Sequence, residues 1–256
     1  MTPQNIGAKG AGTRPEGARD EREAAARVQQ MFAQITPRYD LLNHLLSFNL
    51  DRVWRRRTAI RFAHILRNPE VRVLDLCCGT GDLAFALARR RGESGAMILG
   101  ADFVEPMLTR AREKAHIFGQ RVTFSAADAL QLPFPNDTFD LVTSAFGFRN
   151  LANYESGMRE IARVLKPGGE VGILEFSEPG AGPLAGLFRF YFRQILPRLG
   201  GLVSGSGEAY SYLPASVGKF PSPRELASLM ESCGFTAVQF EAWNFGSVLL
   251  HRARRA

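Results

Sequence analysis

VRVLDLCCGTGD, Val71 to Asp82, joins a short unbroken apolar run to two glycines, Gly79 and Gly81. A run of this length without polar alternation suits a strand buried on both faces, as in a parallel sheet. Glycines at its end permit a tight turn and close approach of the backbone to a ligand. The same rhythm recurs downstream. Residues 82–91 read as a helix, MILGADF (97–103) as a strand, and Glu105 to Phe118 as a helix. VTFSAAD (122–128) and FDLVTSAFG (139–147) read as strands, and Tyr154 to Leu165 as a helix stopped by KPGG at 166–169. EVGILEF (170–176) is a fifth strand, and FTAVQFEAW and SVLLHRA form a terminal pair about a Gly246 turn. Strands alternating with helices predict an α/β fold, a doubly wound, mostly parallel seven-stranded sheet.

Upstream of Val71 the pattern is helical. Val28, Met31, Phe32 and Ile35 recur at helical spacing, and Leu41, Leu42, Leu45 and Leu46 continue the stripe. Thr36-Pro37 reads as the N-cap and first turn of a new helix. The domain plan is therefore a disordered Gly/Pro/Ala-rich tail over 1–18 and one domain over 19–256. Within that domain, 19–66 forms an N-terminal helical cap, and 180–220 breaks the βα rhythm as an insertion.

Composition bounds the function. A chain of 256 residues can bury a full core without disulfide staples. Its three cysteines, Cys77, Cys78 and Cys233, show no CxxC or Cys/His spacing, so no metal site is expected and the thiols read as reduced. No run approaches a membrane span, and no signal-peptide core opens the chain. The expected location is the cytoplasm. The net charge of +7 admits a nucleic acid, an anionic membrane surface or neither as partner. No RNA-binding extension, NPPY-like tetrapeptide or Pro-Cys nucleophile speaks for nucleic acid.

GTGDLA alone satisfies a dinucleotide fingerprint, and it serves S-adenosylmethionine equally well. Three further features separate the two ligands. Asp75 stands at the strand end, where a carboxylate suits the amino-acid end of a zwitterion, or braces the loop, and would repel a pyrophosphate. Asp128-Ala129 ends the third strand, where an acid can accept from an adenine amine. RVLKPGG precedes the fifth strand. Asp102 is placed to accept from both hydroxyls of a ribose diol, and Thr80 with the amides of Gly79 and Gly81 faces the methionine portion. Met107 and Leu108 are candidates to pack around adenine.

The order DLCCGTG, Asp102, DALQLPF, FD, LKPGG resembles the class I S-adenosylmethionine-dependent methyltransferases, a Rossmann-like group. Four longer blocks narrow the likeness: MFAQITPRYDLLNHLLSFNLDRVWRR (31–56), LPFPNDTFDLVTSAFGFRN (132–150), LKPGGEVGILEFSEP (165–179) and AYSYLPASVGKFP (209–221). Together they resemble the ubiquinone/menaquinone biosynthesis C-methyltransferases, over about residues 28 to 251. Cys77 and Cys78 replace the family's usual Ala or Gly, and Ala145 its frequent Ser. The resemblance implies methyl transfer to a ring carbon of a prenylated demethyl-quinol, with Thr80, Asp102, Asp128 and Ala129 as cofactor contacts. Arg149 is the first candidate to hold the quinolate oxygen, or else forms a structural ion pair. Tyr210 and Tyr212 are candidate hydrogen-bonders to substrate, His44 a candidate proton carrier, and Tyr39 and Asp40 candidate lid residues. A prenylated acceptor also gives the apolar, aromatic and basic stretch 184–199 a use, as a greasy channel or a contact with the inner face of the cytoplasmic membrane. A homodimer is a further expectation.

Overall fold

Val73, Leu74, Asp75 and Leu76 are all buried, as a strand covered on both faces requires. In the computed structural model of the protein they lie in β1 (Arg72–Leu76), at the middle of the sheet. The structure describes residues 11–91, 95–178, 186 and 207–256, with side chains absent from the description over 207–211. β1 pairs in parallel with β2 (Met97–Asp102) on one side and β4 (Phe139–Ala145) on the other. β3 (Thr123–Ala126) lies outside β2, and β5 (Leu165–Phe176) outside β4, both parallel. β7 (Val248–Arg255) runs antiparallel to β5, and β6 (Phe235–Trp243) closes that edge. The order β3-β2-β1-β4-β5-β7-β6 is the expected mostly parallel, seven-stranded, doubly wound sheet. Strand order reverses between β1 and β4, so a crevice opens outside their C-terminal ends.

Helices cover both faces. α1 (Glu21–Ile35), α2 (Tyr39–Leu46), α3 (Leu50–Arg61) and the short α4 (Ala63–Leu66) form the N-terminal cap. α5 (Asp82–Arg91), α6 (Glu105–Ile117) and α7 (Tyr154–Val164) follow β1, β2 and β4. α8 (Gly207–Lys219) and α9 (Pro223–Ser232) precede the terminal hairpin. Two apolar layers form the core. Leu74, Val142, Phe148, Tyr154 and Ile173 anchor one; Phe62, Val73, Phe85, Leu87 and Leu141 anchor the other. Among the described residues, no helix is long and apolar enough to cross a membrane.

Three local expectations change. Thr36 does not cap a helix: its hydroxyl donates back to the Phe32 carbonyl at 2.9 Å, and one 3₁₀ turn, Thr36–Arg38, carries α1 into α2. KPGG does not separate helix from strand. β5 begins at Leu165, directly after α7. Phe139 pairs with Leu165 and Leu141 with Glu170, so residues 166–169 bulge out of the ladder while Lys166 holds the Asp140 carboxylate. Finally, residues 11–18, expected within a disordered tail, pack on the domain; residues 1–10 lie outside the described residues. The Thr13 amide donates to the Leu151 carbonyl at 2.8 Å, and Arg14 donates to that of Ala152 at 2.6 Å. Gly12 sits so close that a Cβ there would lie 2.1 Å from the Ala152 carbonyl oxygen. The glycine that suggested looseness in the sequence is what lets two backbones meet.

Candidate active site

The turn after β1 is built from left-handed backbone. Cys77, Gly79 and Gly81 have φ of 53°, 55° and 86°. The Cys78 amide donates to the Ala101 carbonyl and that of Gly81 to Cys78, which pins the turn against β2. Asp102, at the end of β2, completes it: its Oδ2 accepts from the Gly79 amide at 2.8 Å and its Oδ1 from that of Val104 at 2.9 Å. A Cβ at Gly81 would lie 2.9 Å from the Phe124 ring, so this glycine shapes the turn from behind.

These residues wall a cavity at the switch point. Asp75, Gly79, Thr80, Asp102, Asp128 and Ala129 line it, as do Tyr39 from the cap, Met107 from α6 and Asn150 from the turn after β4. Gly81 does not line it. Leu108 is fully buried in the core. Burial pushes the Asp102 carboxyl upward and carries that of Asp75 to about 7, against the hydrogen bond from Thr143 at 2.8 Å. Among the described residues, the second oxygen of Asp75 is buried with no hydrogen-bond partner. A cationic ligand group would satisfy it. A carboxylate has about four acceptor sites, so Asp102 keeps acceptor capacity beside the amides it holds. Four carboxylates line this cavity, Asp75, Asp82, Asp102 and Asp128, with Arg55 as the cation among them. That wall suits a sulfonium zwitterion and opposes a pyrophosphate. Desolvation raises the Cys77 and Cys78 thiols well above their usual range, so neither is an activated nucleophile.

The acceptor side departs from expectation. Arg149 does not line the cavity; it lies one residue behind the wall formed by Asn150. Its guanidinium pairs with Glu175 at 2.9 Å and donates to the Phe146 carbonyl, while its amide donates to Glu175. Between the two alternatives read for it, its placement is that of the structural ion pair. Tyr212 donates to Asn150 at 3.1 Å and lies 2.8 Å from the Thr13 hydroxyl. Tyr210 is in α8, but its side chain lies outside the described residues. His44 contacts Asp51 at 2.8 Å, in a groove beside the cavity.

Sequence reasoning missed a fastening between cap and loop. Lys114 reaches from α6 to Asp82 at 2.6 Å, Asp40 at 2.9 Å and Thr80 at 3.1 Å, and Thr80 donates to Asp40. A lysine three residues before the end of a helix carries no sequence signal for this. Gly147 was likewise unread: a Cβ there would lie 2.4 Å from the Cys77 Cβ, so the FGFRN turn packs on the loop after β1.

The sequence profile of the ubiE/COQ5 methyltransferase family matches residues 19–255. The chain belongs to that family. A demethylmenaquinone methyltransferase of Thermus thermophilus is 51% identical over 221 residues, 86% of this chain and 98% of that protein. One from Deinococcus radiodurans is 48% identical over 227 residues, 89% of this chain and 92% of its own length. A ubiquinone/menaquinone biosynthesis C-methyltransferase of Geobacter sulfurreducens is 44% identical, with 91% and 90% covered. Solved structures agree on the fold. A SAM-dependent methyltransferase from Aquifex aeolicus superposes with TM-score 0.57 at 19% identity, covering 78% of this chain and 89% of that one. The [4+2]-cyclase SpnF superposes at 0.66 and 19% identity, covering 96% and 98%. Such low identity speaks for this methyltransferase's architecture alone.

Proposed function

We propose that this enzyme transfers a methyl group from S-adenosylmethionine to a ring carbon of a prenylated demethyl-quinol, giving the methylated quinol of menaquinone or ubiquinone biosynthesis. The observation that carries the reading is the near-full-length identity to two demethylmenaquinone methyltransferases. The cavity supports it. When bound, S-adenosylmethionine supplies an electrophilic methyl group on a sulfonium. Asp102 is assigned the ribose diol, Asp128 and Ala129 the adenine edge, and Asp75 the ammonium of the methionine portion. Thr80 and the amides around Gly79 take its carboxylate end.

The carbon beside a phenol is a weak nucleophile until the phenol proton leaves, so the protein's task is alignment, dehydration and removal of that proton. No metal is required. Phe146, Asn150 and Tyr39 supply the inner wall, and residues 11–14 cover Leu151 and Ala152 from outside. Arg149 is assigned a positioning role, holding the Gly147–Asn150 turn through Glu175 and Phe146. Tyr210 is retained as a candidate hydrogen-bonder to the acceptor. The stretch 184–199, read as the path of the prenyl tail or a membrane contact, lies outside the described residues. Peripheral membrane contact from the cytoplasm and a homodimer complete the proposal; light scattering of the purified protein tests the latter.

The deciding experiment incubates the protein with methyl-labelled donor and both demethylmenaquinol and the ubiquinol precursor. Label in a quinol product is expected, and label in neither sinks the proposal. A second reading, methylation of another small aromatic or lipid, predicts turnover with non-quinone acceptors only.

A further inference from the structure

The outward surface of α2 and α3 carries large apolar side chains that the fold leaves in solvent. Leu41, Leu45 and Phe48 are 62%, 55% and 72% exposed, and Leu50, Val53 and Ile60 are exposed beside them. On α3, Leu50, Val53, Arg57 and Ile60 fall at spacings of three and four and share one stripe, while Asp51, Trp54, Arg55 and Thr58 face inward.

Beside this stripe, and meeting it at Ile60, a groove lies between α3, α5 and α6. Arg52, Arg56, Arg89, Arg90, Arg110 and Lys114 line it. The acids at hand are taken up by two of these cations and by Arg55 and His44. Asp40 and Asp82 hold Lys114, Asp51 holds Arg55 and His44, and Glu113 holds Arg110. Arg52, Arg56, Arg89 and Arg90 are exposed and make no ion pair among the described residues.

The occupant follows from this pairing of features. A second copy of a chain at +7 would bring its own arginines against these. An acidic peptide could fill the groove but would leave Leu41, Leu45 and Phe48 uncovered. An anionic bilayer meets both needs. Its phosphates take the arginines, and its headgroup–acyl boundary takes the leucines and Phe48. We infer that the α2–α3 face seats the enzyme on an anionic membrane surface. Arg55 and Asp82 line both this groove and the catalytic cavity, so seating places the cavity beside the lipid. The inference deepens the proposed function, which calls for a prenylated acceptor, yet it rests on residues other than 184–199.

The test is flotation of the full-length protein with vesicles of phosphatidylcholine alone and of phosphatidylcholine mixed equally with phosphatidylglycerol. Binding to the anionic vesicles that falls with salt is expected, with little to the neutral ones. The quadruple variant R52Q/R56Q/R89Q/R90Q should lose at least about tenfold in anionic partitioning, since each arginine near such a surface contributes several-fold. L45S/F48S should also weaken binding. Both variants should retain wild-type melting temperature and turnover of a short-prenyl acceptor in detergent, which separates lost docking from lost folding. Equal binding to neutral vesicles, or undiminished binding by the quadruple variant, overturns the inference. So does conversion of a dimer to a monomer by L45S/F48S with vesicle binding unchanged, which assigns the face to a second copy. RNA binding that abolishes vesicle binding overturns it too. Vesicle binding as expected, with no methylation of any quinol, leaves the docking face standing and removes the acceptor reading.

Discussion

Asp102 braces the loop from the position that the proposal gives to the ribose contact. Its oxygens fix the Gly79 and Val104 amides, and the residue lines the cavity. Asp102→Ala should weaken S-adenosylmethionine binding by at least ~1 kcal/mol, about fivefold, the scale of a lost charged hydrogen bond. Calorimetric titration measures it; unchanged affinity would remove Asp102 from the cofactor site. Gly147 offers a sharper test. Gly147→Ala places a methyl against the Cys77 Cβ and should displace the loop, lowering donor affinity together with melting temperature. Cys77 itself has φ of 53°, where glycine is at ease, so Cys77→Gly should be tolerated. The double variant should recover much of the lost affinity because the colliding Cβ is gone; a double variant no better than Gly147→Ala would refute that contact. These cases also mark what a sequence discloses. Asp75, Asp102 and Asp128 were legible because strand ends converge on the crevice in any doubly wound sheet. Arg149 was legible as a cation for the quinolate oxygen or for a structural ion pair, but its partner was not. Glu175 lies 26 positions along the chain inside an apolar strand, and only the β4–β5 pairing brings the two together.

At the level of elements, the cap is fastened to the cofactor loop by Lys114 and by the Thr80 hydroxyl on Asp40. Lys114 neutralises Asp40 of α2 and Asp82 of α5 together, and it is itself buried. Lys114→Met should take the ion-pair partner from Asp40 and leave Asp82 with Arg55 as its neighbouring cation, a loss of ~1 to 3 kcal/mol, the scale of charged hydrogen bonds at half-buried carboxylates. The expected result is faster hydrogen exchange across α2 and weaker donor binding, with partial recovery in Lys114→Arg. Unchanged exchange in α2 would show that the cap is held by its apolar contacts alone. Helix and strand order was readable from Val28 to the terminal hairpin because periodicity reports which faces are buried. The joints were not. Thr36-Pro37 looks like a helix start, yet the Phe32 carbonyl offers the Thr36 hydroxyl a partner within the preceding helix. KPGG looks like a stop, yet it is a bulge because Phe139 recaptures Leu165 ahead of it. Gly12 reads as slack until the Leu151 and Ala152 carbonyls supply something to bind. In each case the deciding partner is remote in sequence or a backbone atom, and neither leaves a mark in composition.

Across the whole molecule, two buried titratable groups pull the pH dependence of stability in opposite directions. His251 of β7 is almost fully buried and touches the Pro223 carbonyl at 3.0 Å, and burial lowers its pKa from 6.5 to about 4. Between those values the unfolded chain holds a proton that the native state refuses, so this group makes stability rise with pH and fall on acidification. Its full span is ~3 kcal/mol, at 1.36 kcal/mol per unit. Asp75 does the reverse. Burial raises it from 3.8 to about 7, so between those values the native state holds the extra proton. Its contribution is complete below 3.8 and is lost as pH rises through 7, a span of ~4 kcal/mol. Over the shared window the two slopes cancel. The wild type should therefore gain nothing from this pair between about pH 4 and 6.5, and should lose stability between about 6.5 and 7. Substitution uncovers each limb. Relative to wild type, His251→Gln should grow steadily less stable as pH rises from 4 to 6.5, because only the falling limb remains. Asp75→Asn should grow steadily more stable over the same interval and keep that gain past pH 7. Urea midpoints at half-unit steps of pH, read as differences from wild type, isolate each group from the other titrating residues they share. Parallel curves for wild type and Asp75→Asn would mean that the carboxylate is already ionised in the protein measured without donor. The unpartnered oxygen would then have found a cation before any ligand arrived.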